Sequence, residues 1–318
     1  MVEKFIYYSL VMKIIVLSPI ADLLFTEELK EKIKSAGDVV FIKDIKPLLE
    51  VSELYDSEPK IVAIDPDFCE WNVSREVIEK MKNIQAICLQ TTSFSWIDTT
   101  EAKKQGIPVM NLRGFSTEAV AEWAFMMAVN VARKLPLIIK DGWKQDFGKH
   151  QGIELKGKVV GIIGLGTIGT RIAEICKGLG MDILYWSRTS KDERFSSTEL
   201  DDLMKRADFV FPTLAQNDKT TGLITDQMLN SMKKSAIFVS IVHKIYNHDL
   251  VLHLVKEDKI YGYAFETGKE KMTDFEGNVW AGPELAWCTE ESFRRNAEQW
   301  TEAIVRAVNN DYPTKVNK

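Results

Sequence analysis

Cysteine, histidine and long runs of any one character are scarce in this 318-residue chain. Cys69, Cys88, Cys176 and Cys288 stand far apart and form no C-x-x-C pair. That spacing excludes zinc-ribbon and thioredoxin patterns and predicts reduced, mostly buried thiols. His243, His248 and His253 recur every five residues. Ligands on one helical face need a spacing of four, so no metal site is expected. No long basic run is present, and 41 Lys and Arg against 46 Asp and Glu leave a net charge of −5. Nucleic acid and anionic membrane are therefore not expected as partners. The apolar N-terminal stretch FIYYSLVMKIIVL is broken by Lys13 and followed by no small-residue cleavage site. It is too short to span a bilayer. Residues 1–11 read as an extension, such as one from an upstream start codon, and the protein reads as cytoplasmic. No internal repeat, low-complexity segment or long linker appears.

What is present is ordinary in amount and informative in order. The chain is 45% hydrophobic and 27% charged, as in average globular domains. At about 150 residues per domain its length allows two, with core enough to need no disulfide or metal staple. In the first third, the short apolar runs KIIVLS, VVFI, KIVAI, AICLQ and IPVMN read as strands. Helical patterns lie between them, TEELKEKIKSA ended by Gly37 and EVIEKMKNI. Nearly unbroken apolar strands alternating with helices predict a parallel sheet covered on both faces. Residues 118–135, EAVAEWAFMMAVNVARKL, are apolar on nearly every face, broken only by Glu122, Asn130 and Arg133. Such a helix is either a central core helix or a subunit interface. A polar stretch, 141–158, follows, and the strand–helix alternation then resumes.

Residues 159–188 carry the strongest motif. VVGII reads as a strand, RIAEICKGL as a helix and DILYW as the next strand, and Gly164, Gly166 and Gly169 form G-x-G-x-x-G between the first two. Gly164 permits the tight turn, Gly166 lets a pyrophosphate approach the backbone, and Gly169 lets the helix pack closely on the strand. Thr167 and Ile168 lie in the same turn, where free amides at the helix start face the phosphates. Inside a strand–turn–helix–strand unit this motif is specific for a dinucleotide. An acidic residue at the end of the second strand would bind the ribose of NAD. Ser187, Arg188 and Thr189 stand there instead, and a guanidinium with two hydroxyls suits the 2′-phosphate of NADP(H).

From about residue 13 to the C-terminus the chain resembles the D-isomer-specific 2-hydroxyacid dehydrogenase family, its glyoxylate/hydroxypyruvate reductase branch in particular. GIPVMNLRGFSTEAVAEWA is similar to the family's linker and dimer-forming helix. ELKGKVVGIIGLGTIGTRIAEICKGLGMDILYWSRTS is similar to its nucleotide signature. ADFVFPTLAQNDKTTGLI and MLNSMKKSAIFVSIV are similar to the strands that follow, and GPELAWCTEES to the segment that carries the catalytic histidine. The resemblance implies an α/β protein of two doubly wound, Rossmann-like domains with parallel sheets and an active-site cleft between them. It implies a discontinuous substrate-type, flavodoxin-like domain at 1–111 and 287–318, a dinucleotide-binding domain at 112–286, and a homodimer.

Reduction of a 2-keto acid needs a cation for the carboxylate, a general acid and a carboxylate to orient that acid. The family uses arginine, histidine and glutamate. Here His243 takes the place of the arginine, with Lys244 at the following glycine. Lys271 takes the place of the glutamate, with Glu270 beside it, and Glu284 takes the place of the histidine. Glu266 stands where the family has a strand-ending aspartate. Ser93 replaces a glycine that meets the substrate carboxylate, and Ala215, Gln216 and Asn217 occupy the family's P-L-T turn. Three readings follow. In a rebuilt site, His243 is the acid, Glu284 its partner and Lys271 the anion binder. A different enzyme would use the cleft with another adenosyl ligand such as S-adenosylmethionine. A catalytically silent nucleotide-binding sensor or scaffold would need none of the three residues. The expectation is an NAD(P)-binding homologue of the family with a non-standard active site.

Overall fold

A computed structural model of the chain describes residues 11–215, 217, 219–242, 244–268 and 270–317. It divides into two compact units, one of Met1–Phe115 with Thr289–Lys318 and one of Ser116–Cys288. Each unit is a parallel α/β sheet.

The first unit is built on β1 (Lys13–Leu17), β2 (Asp38–Ile42), β3 (Lys60–Ile64), β4 (Ile84–Leu89) and β5 (Val109–Met110). Their order in the sheet is β2-β1-β3-β4-β5, all pairs parallel. The helix Glu27–Ala36 starts where the Thr26 side chain accepts the Leu29 amide and acidic residues fill the first turn. Both features favour a helix N-terminus. Gly37 follows it in extended backbone, not in the left-handed form. Glycine is needed there because a Cβ would lie 2.2 Å from the Met12 carbonyl oxygen. The helix Arg75–Lys80 is shorter than the pattern EVIEKMKNI suggests. Asn83 turns the chain with φ 52° and Ile84 already begins β4. The C-terminal helix Glu290–Val308 closes this unit. Its Trp300 is fully buried, donates to the Cys88 carbonyl at 3.0 Å and stacks on Phe25.

One polar feature is set deep in this unit. The side chain of Lys60 is fully buried, with its ammonium 2.7 Å from the Asp56 carboxylate and donating to the carbonyls of Asp56 and Lys82. Lys13 reaches the other Asp56 oxygen at 2.7 Å. Burial alone would raise the Asp56 pKa, yet hydrogen bonds from Lys13, Lys60 and the Glu58 amide bring it down to about 2. Removing the carboxylate leaves a buried ammonium with carbonyl partners only. Asp56→Ala is therefore expected to cost about 2–3 kcal/mol in urea unfolding, below the usual cost of a broken buried pair because water reaches Asp56. Adding Lys60→Met should recover most of that loss. A cost under about 0.5 kcal/mol, as for a surface pair, would contradict it.

The second unit contains β6 (Val159–Ile163), β7 (Asp182–Trp186), β8 (Ser196–Ser197), β9 (Phe209–Pro212), β10 (Ile237–Ser240), β11 (Gly262–Glu266) and β12 (Val279–Gly282). The order is β12-β11-β10-β9-β6-β7-β8, again all parallel. Strand order reverses between β6 and β9, and the crevice at such a switch point is where doubly wound sheets bind ligands. The helix Thr117–Ala132 lays Ala121, Ala124, Ala128 and Ala132 against the sheet, where small side chains permit close approach. Its opposite face, with Val120, Trp123, Phe125, Met126 and Val129, is only half-buried within the chain. The helix ends at Ala132 rather than at Leu135. Lys134 adopts φ 54°, and Pro136 lies in the first turn of a separate helix, Leu135–Lys140, where proline is tolerated. Among the described residues, no helix is long and apolar enough to cross a membrane.

Candidate functional site

The glycine turn sits directly after β6 at the switch point. Gly164 has φ 102°, a backbone form that side chains rarely adopt. Its amide donates to the Trp186 carbonyl at 2.8 Å, which ties the turn to the end of β7. Gly169 is buried in the first turn of the helix Thr167–Gly178. A Cβ there would lie 2.2 Å from the Gly164 carbonyl oxygen and 2.6 Å from Thr213 Oγ1. Gly166 is different. It is exposed, a Cβ would meet nothing within 4 Å, and no side chain caps the helix it begins. Gly166 and Thr167 thus present open backbone at a helix N-terminus, with Ile168 half-buried behind them. That surface fits a pyrophosphate.

Thr213, which no sequence motif marks, supports the turn. Its hydroxyl donates to the Gly164 carbonyl at 2.5 Å. Its position straight after β9 is the only sign of this in the sequence.

The end of β7 carries no carboxylate. The Ser187 hydroxyl accepts the Ser190 amide at 3.2 Å, and Arg188 and Thr189 are exposed. Among the described residues, no carboxylate pairs with Arg188. The acid nearest in sequence, Asp192, is held by Arg194 at 2.6 Å, and Arg194 also holds Glu174 at 2.7 Å. Both of these acids are thus engaged by Arg194.

The residues read in the sequence as replacing the family's catalytic groups follow β10, β11 and β12 along the chain. His243 lies outside the described residues, as does Gln216. Lys244 next to it has φ 60°, the left-handed form natural to the glycine expected there, at a cost of about 1 kcal/mol for a side chain. Lys271 is exposed, its amide donating to Asp274 at 2.8 Å, and its ammonium pairs with no carboxylate among the described residues. Glu284 is exposed after β12, with Oε1 3.8 Å from where a Gly268 Cβ would stand. Glu270 accepts from the Thr267 hydroxyl at 3.0 Å. A hydroxyl chain backs the loop that follows β10. Tyr246 contacts Ser240 and bonds to the Tyr263 hydroxyl at 2.5 Å, which in turn bonds to His248 Nδ1 at 2.7 Å. The Asn247 side chain accepts the Leu250 amide and caps the helix His248–Lys256.

Glu266, at the end of β11, has the most perturbed acid among these groups. It is buried, and Oε1 accepts the Ala286 amide at 2.9 Å. Burial pushes its pKa up to about 7, opposed by the Ala286 and Leu285 amides and reinforced by the charge of Glu284. A folded-state pKa above the unfolded one favours the protonated acid. Its penalty is absent below the ordinary range near 4.5 and complete above about 7, roughly 3 kcal/mol at most. Stability should therefore fall as pH rises through that window, and Glu266→Gln should flatten the fall when unfolding is compared at acidic and mildly alkaline pH. Asp65 in the first unit, raised to about 6 by burial, acts in the same direction and is common to both proteins. An unchanged slope in the variant would refute the assignment.

A doubly wound parallel sheet with an open glycine turn at its switch point defines a dinucleotide-binding α/β protein. Residues 125–286 match the model of the D-isomer specific 2-hydroxyacid dehydrogenase NAD binding domain. A glyoxylate reductase of Pyrococcus horikoshii is 34% identical over 214 residues, 63% of this chain and 64% of that protein, less than two thirds of its length. A glyoxylate reductase of Aeropyrum pernix is 31% identical over 252 residues, 72% of this chain and 75% of that protein. The chain belongs to the D-isomer-specific 2-hydroxyacid dehydrogenase family. The solved structure of an acyclic imino acid reductase in complex with NADPH and D-Arg shares the fold at a TM-score of 0.84. It is 22% identical, covering 96% of this chain and 100% of that one.

Proposed function

We propose that the chain is an NADP(H)-preferring oxidoreductase of this family, reducing a small 2-oxo acid or close analogue at a site rebuilt from other residues. The observation that carries the reading is the exposed Arg188 at the end of β7, paired with no carboxylate among the described residues, beside a glycine turn with open backbone at Gly166. Gly164, Gly166, Thr167, Ile168 and Gly169 would hold the pyrophosphate, and Ser187, Arg188 and Thr189 the 2′-phosphate. A bound dihydronicotinamide supplies the hydride. At the substituted positions, Lys271 is assigned to the substrate's anionic group, and His243 and Glu284 supply an imidazole and a carboxyl. S-adenosylmethionine, the alternative adenosyl ligand, would favour a ribose-binding carboxylate where Ser187 stands. The half-buried apolar face of Thr117–Ala132, with the exposed Trp143 and Phe147, supports a homodimer, and we place the protein in the cytoplasm. The test is oxidation of NADPH against glyoxylate, hydroxypyruvate and larger 2-oxo acids. Turnover with at least one of them is expected, and silence across the panel would contradict the reading.

A further inference from the structure

We propose that the first unit holds a ligand site of its own, a cavity between the loops that follow β2 and β3, which takes a small monocarboxylate with an apolar body. The site shares no residue with those assigned to the cofactor or the 2-oxo acid and does not depend on the reductase reading.

The cavity has a volume of about 520 Å³, within the range of small-molecule pockets. One wall is the segment Ile45–Leu49 after β2, and the other comes from residues 68–74 after β3. Val77, on the helix Arg75–Lys80, also lines it. Both walls are held from behind. The Pro47 carbonyl accepts the Glu50 amide at 2.8 Å, and the Tyr55 hydroxyl donates to the Leu48 carbonyl at 3.0 Å. In the facing loop the buried Asp65 carboxyl accepts the Ser18 hydroxyl at 2.6 Å and the Asp67 amide at 3.0 Å. Glu70 and Trp71 then take φ 50° and 56°, two successive left-handed residues without a glycine. Such strain persists only where the surroundings impose it. Here the Trp71 indole donates to Asp67 at 3.0 Å and meets Trp96 edge-on. The cavity is therefore part of the fold and needs no loop to open.

The lining selects the ligand. Leu48, Phe68 and Val77 belong to the core of this unit and also bound the cavity. Ile45 and Leu49, on the same wall, are 59% and 44% exposed, and an apolar body seated there removes their surface from water. Cys69 adds a neutral patch, its thiol directed at the Pro66 carbonyl at 3.5 Å and pushed up to about 11 by burial. Lys46 supplies the charge. Its side chain is half-buried, and among the described residues its ammonium has neither an ion pair nor a hydrogen bond, whereas Lys43 nearby in sequence is held by Asp22. A cation drawn partly out of water favours an anionic partner, and a carboxylate meets it through a charge-assisted hydrogen bond. Glu70, on the facing wall, is exposed and pairs with no cation among the described residues. It repels a second negative charge, so a monoanion is preferred to a dicarboxylate or a phosphate ester.

Methyl NMR of the full chain, without cofactor, reads the site with 3-phenylpropanoate as the probe. Saturable shifts are expected at the methyls of Leu48, Leu49 and Val77. The uncharged analogue 3-phenylpropanol should bind at least about tenfold more weakly. Lys46→Met should reduce the acid to the level of the alcohol, while Lys46→Arg, which keeps the charge, should hold it within about threefold of wild type. Phenylsuccinate, a dicarboxylate, should bind more weakly than 3-phenylpropanoate in the wild type and gain about threefold or more in Glu70→Gln. Thermal unfolding of each variant shows that it is folded. No saturable shift at those methyls, equal affinity for acid and alcohol, or a folded Lys46→Met protein that binds the acid as the wild type does overturns the site. NADPH oxidation takes no part in the readout, so failure of the reductase reading leaves this result unchanged.

Discussion

Gly169→Ala is expected to destabilise the protein by about 3 kcal/mol and to abolish its response to a dinucleotide. The added methyl would stand 2.2 Å from the Gly164 carbonyl oxygen, 2.6 Å from Thr213 Oγ1 and 3.0 Å from Ile162 Cγ2. The nearest of these is backbone and cannot rotate away. The helix Thr167–Gly178 would have to lift from β6, and the amides assigned to the phosphates would move with it. Gly166→Ala is the control that separates fold from binding. Its backbone, φ −85° and ψ −167°, is open to any residue, and its Cβ meets nothing within 4 Å. Stability should change by about 1 kcal/mol or less. NADPH affinity should still fall by about tenfold or more, because the methyl would occupy the space assigned to the pyrophosphate. Urea unfolding and calorimetric titration of both variants check the pair. Equal losses of stability in the two would contradict the distinct roles given to these glycines.

Arg188→Ala is the second change with a large expected effect. The guanidinium is exposed and pairs with no carboxylate among the described residues, so its removal breaks no internal contact of that kind and stability should hold. A lost charge-assisted contact to phosphate is worth about 1.5–3 kcal/mol, or about 10- to 100-fold in affinity. NADPH should weaken by that factor and NADH by little. A matched loss for both cofactors would show that Arg188 does not read the 2′-phosphate.

The sequence made the strands and the glycine turn legible because each is a local pattern. β1, β3, β6 and β7 are short apolar runs, and G-x-G-x-x-G is readable at its own spacing. Element ends were less legible. The helix before β4 stops early because Asn83 turns the chain, and the apolar helix stops at Ala132 because Lys134 reverses it. Gly37 does end its helix, but through a close approach to Met12 that no local pattern reveals. At the candidate site, Lys271, Glu284 and Arg188 are picked out in the sequence by position alone, which carries no information on environment. That Glu266 is buried under the amides of Leu285 and Ala286 depends on pairing between β11 and β12. Thr213 braces Gly164 for the same kind of reason, since β9 lies beside β6 only in the folded sheet.

The most direct test of the account is the affinity of the wild-type protein for NADPH and NADH, measured by calorimetry under identical conditions. NADPH should bind at least about tenfold more tightly, with the preference erased in Arg188→Ala. Equal affinities, no affinity for either, or binding of S-adenosylmethionine in their place would contradict it.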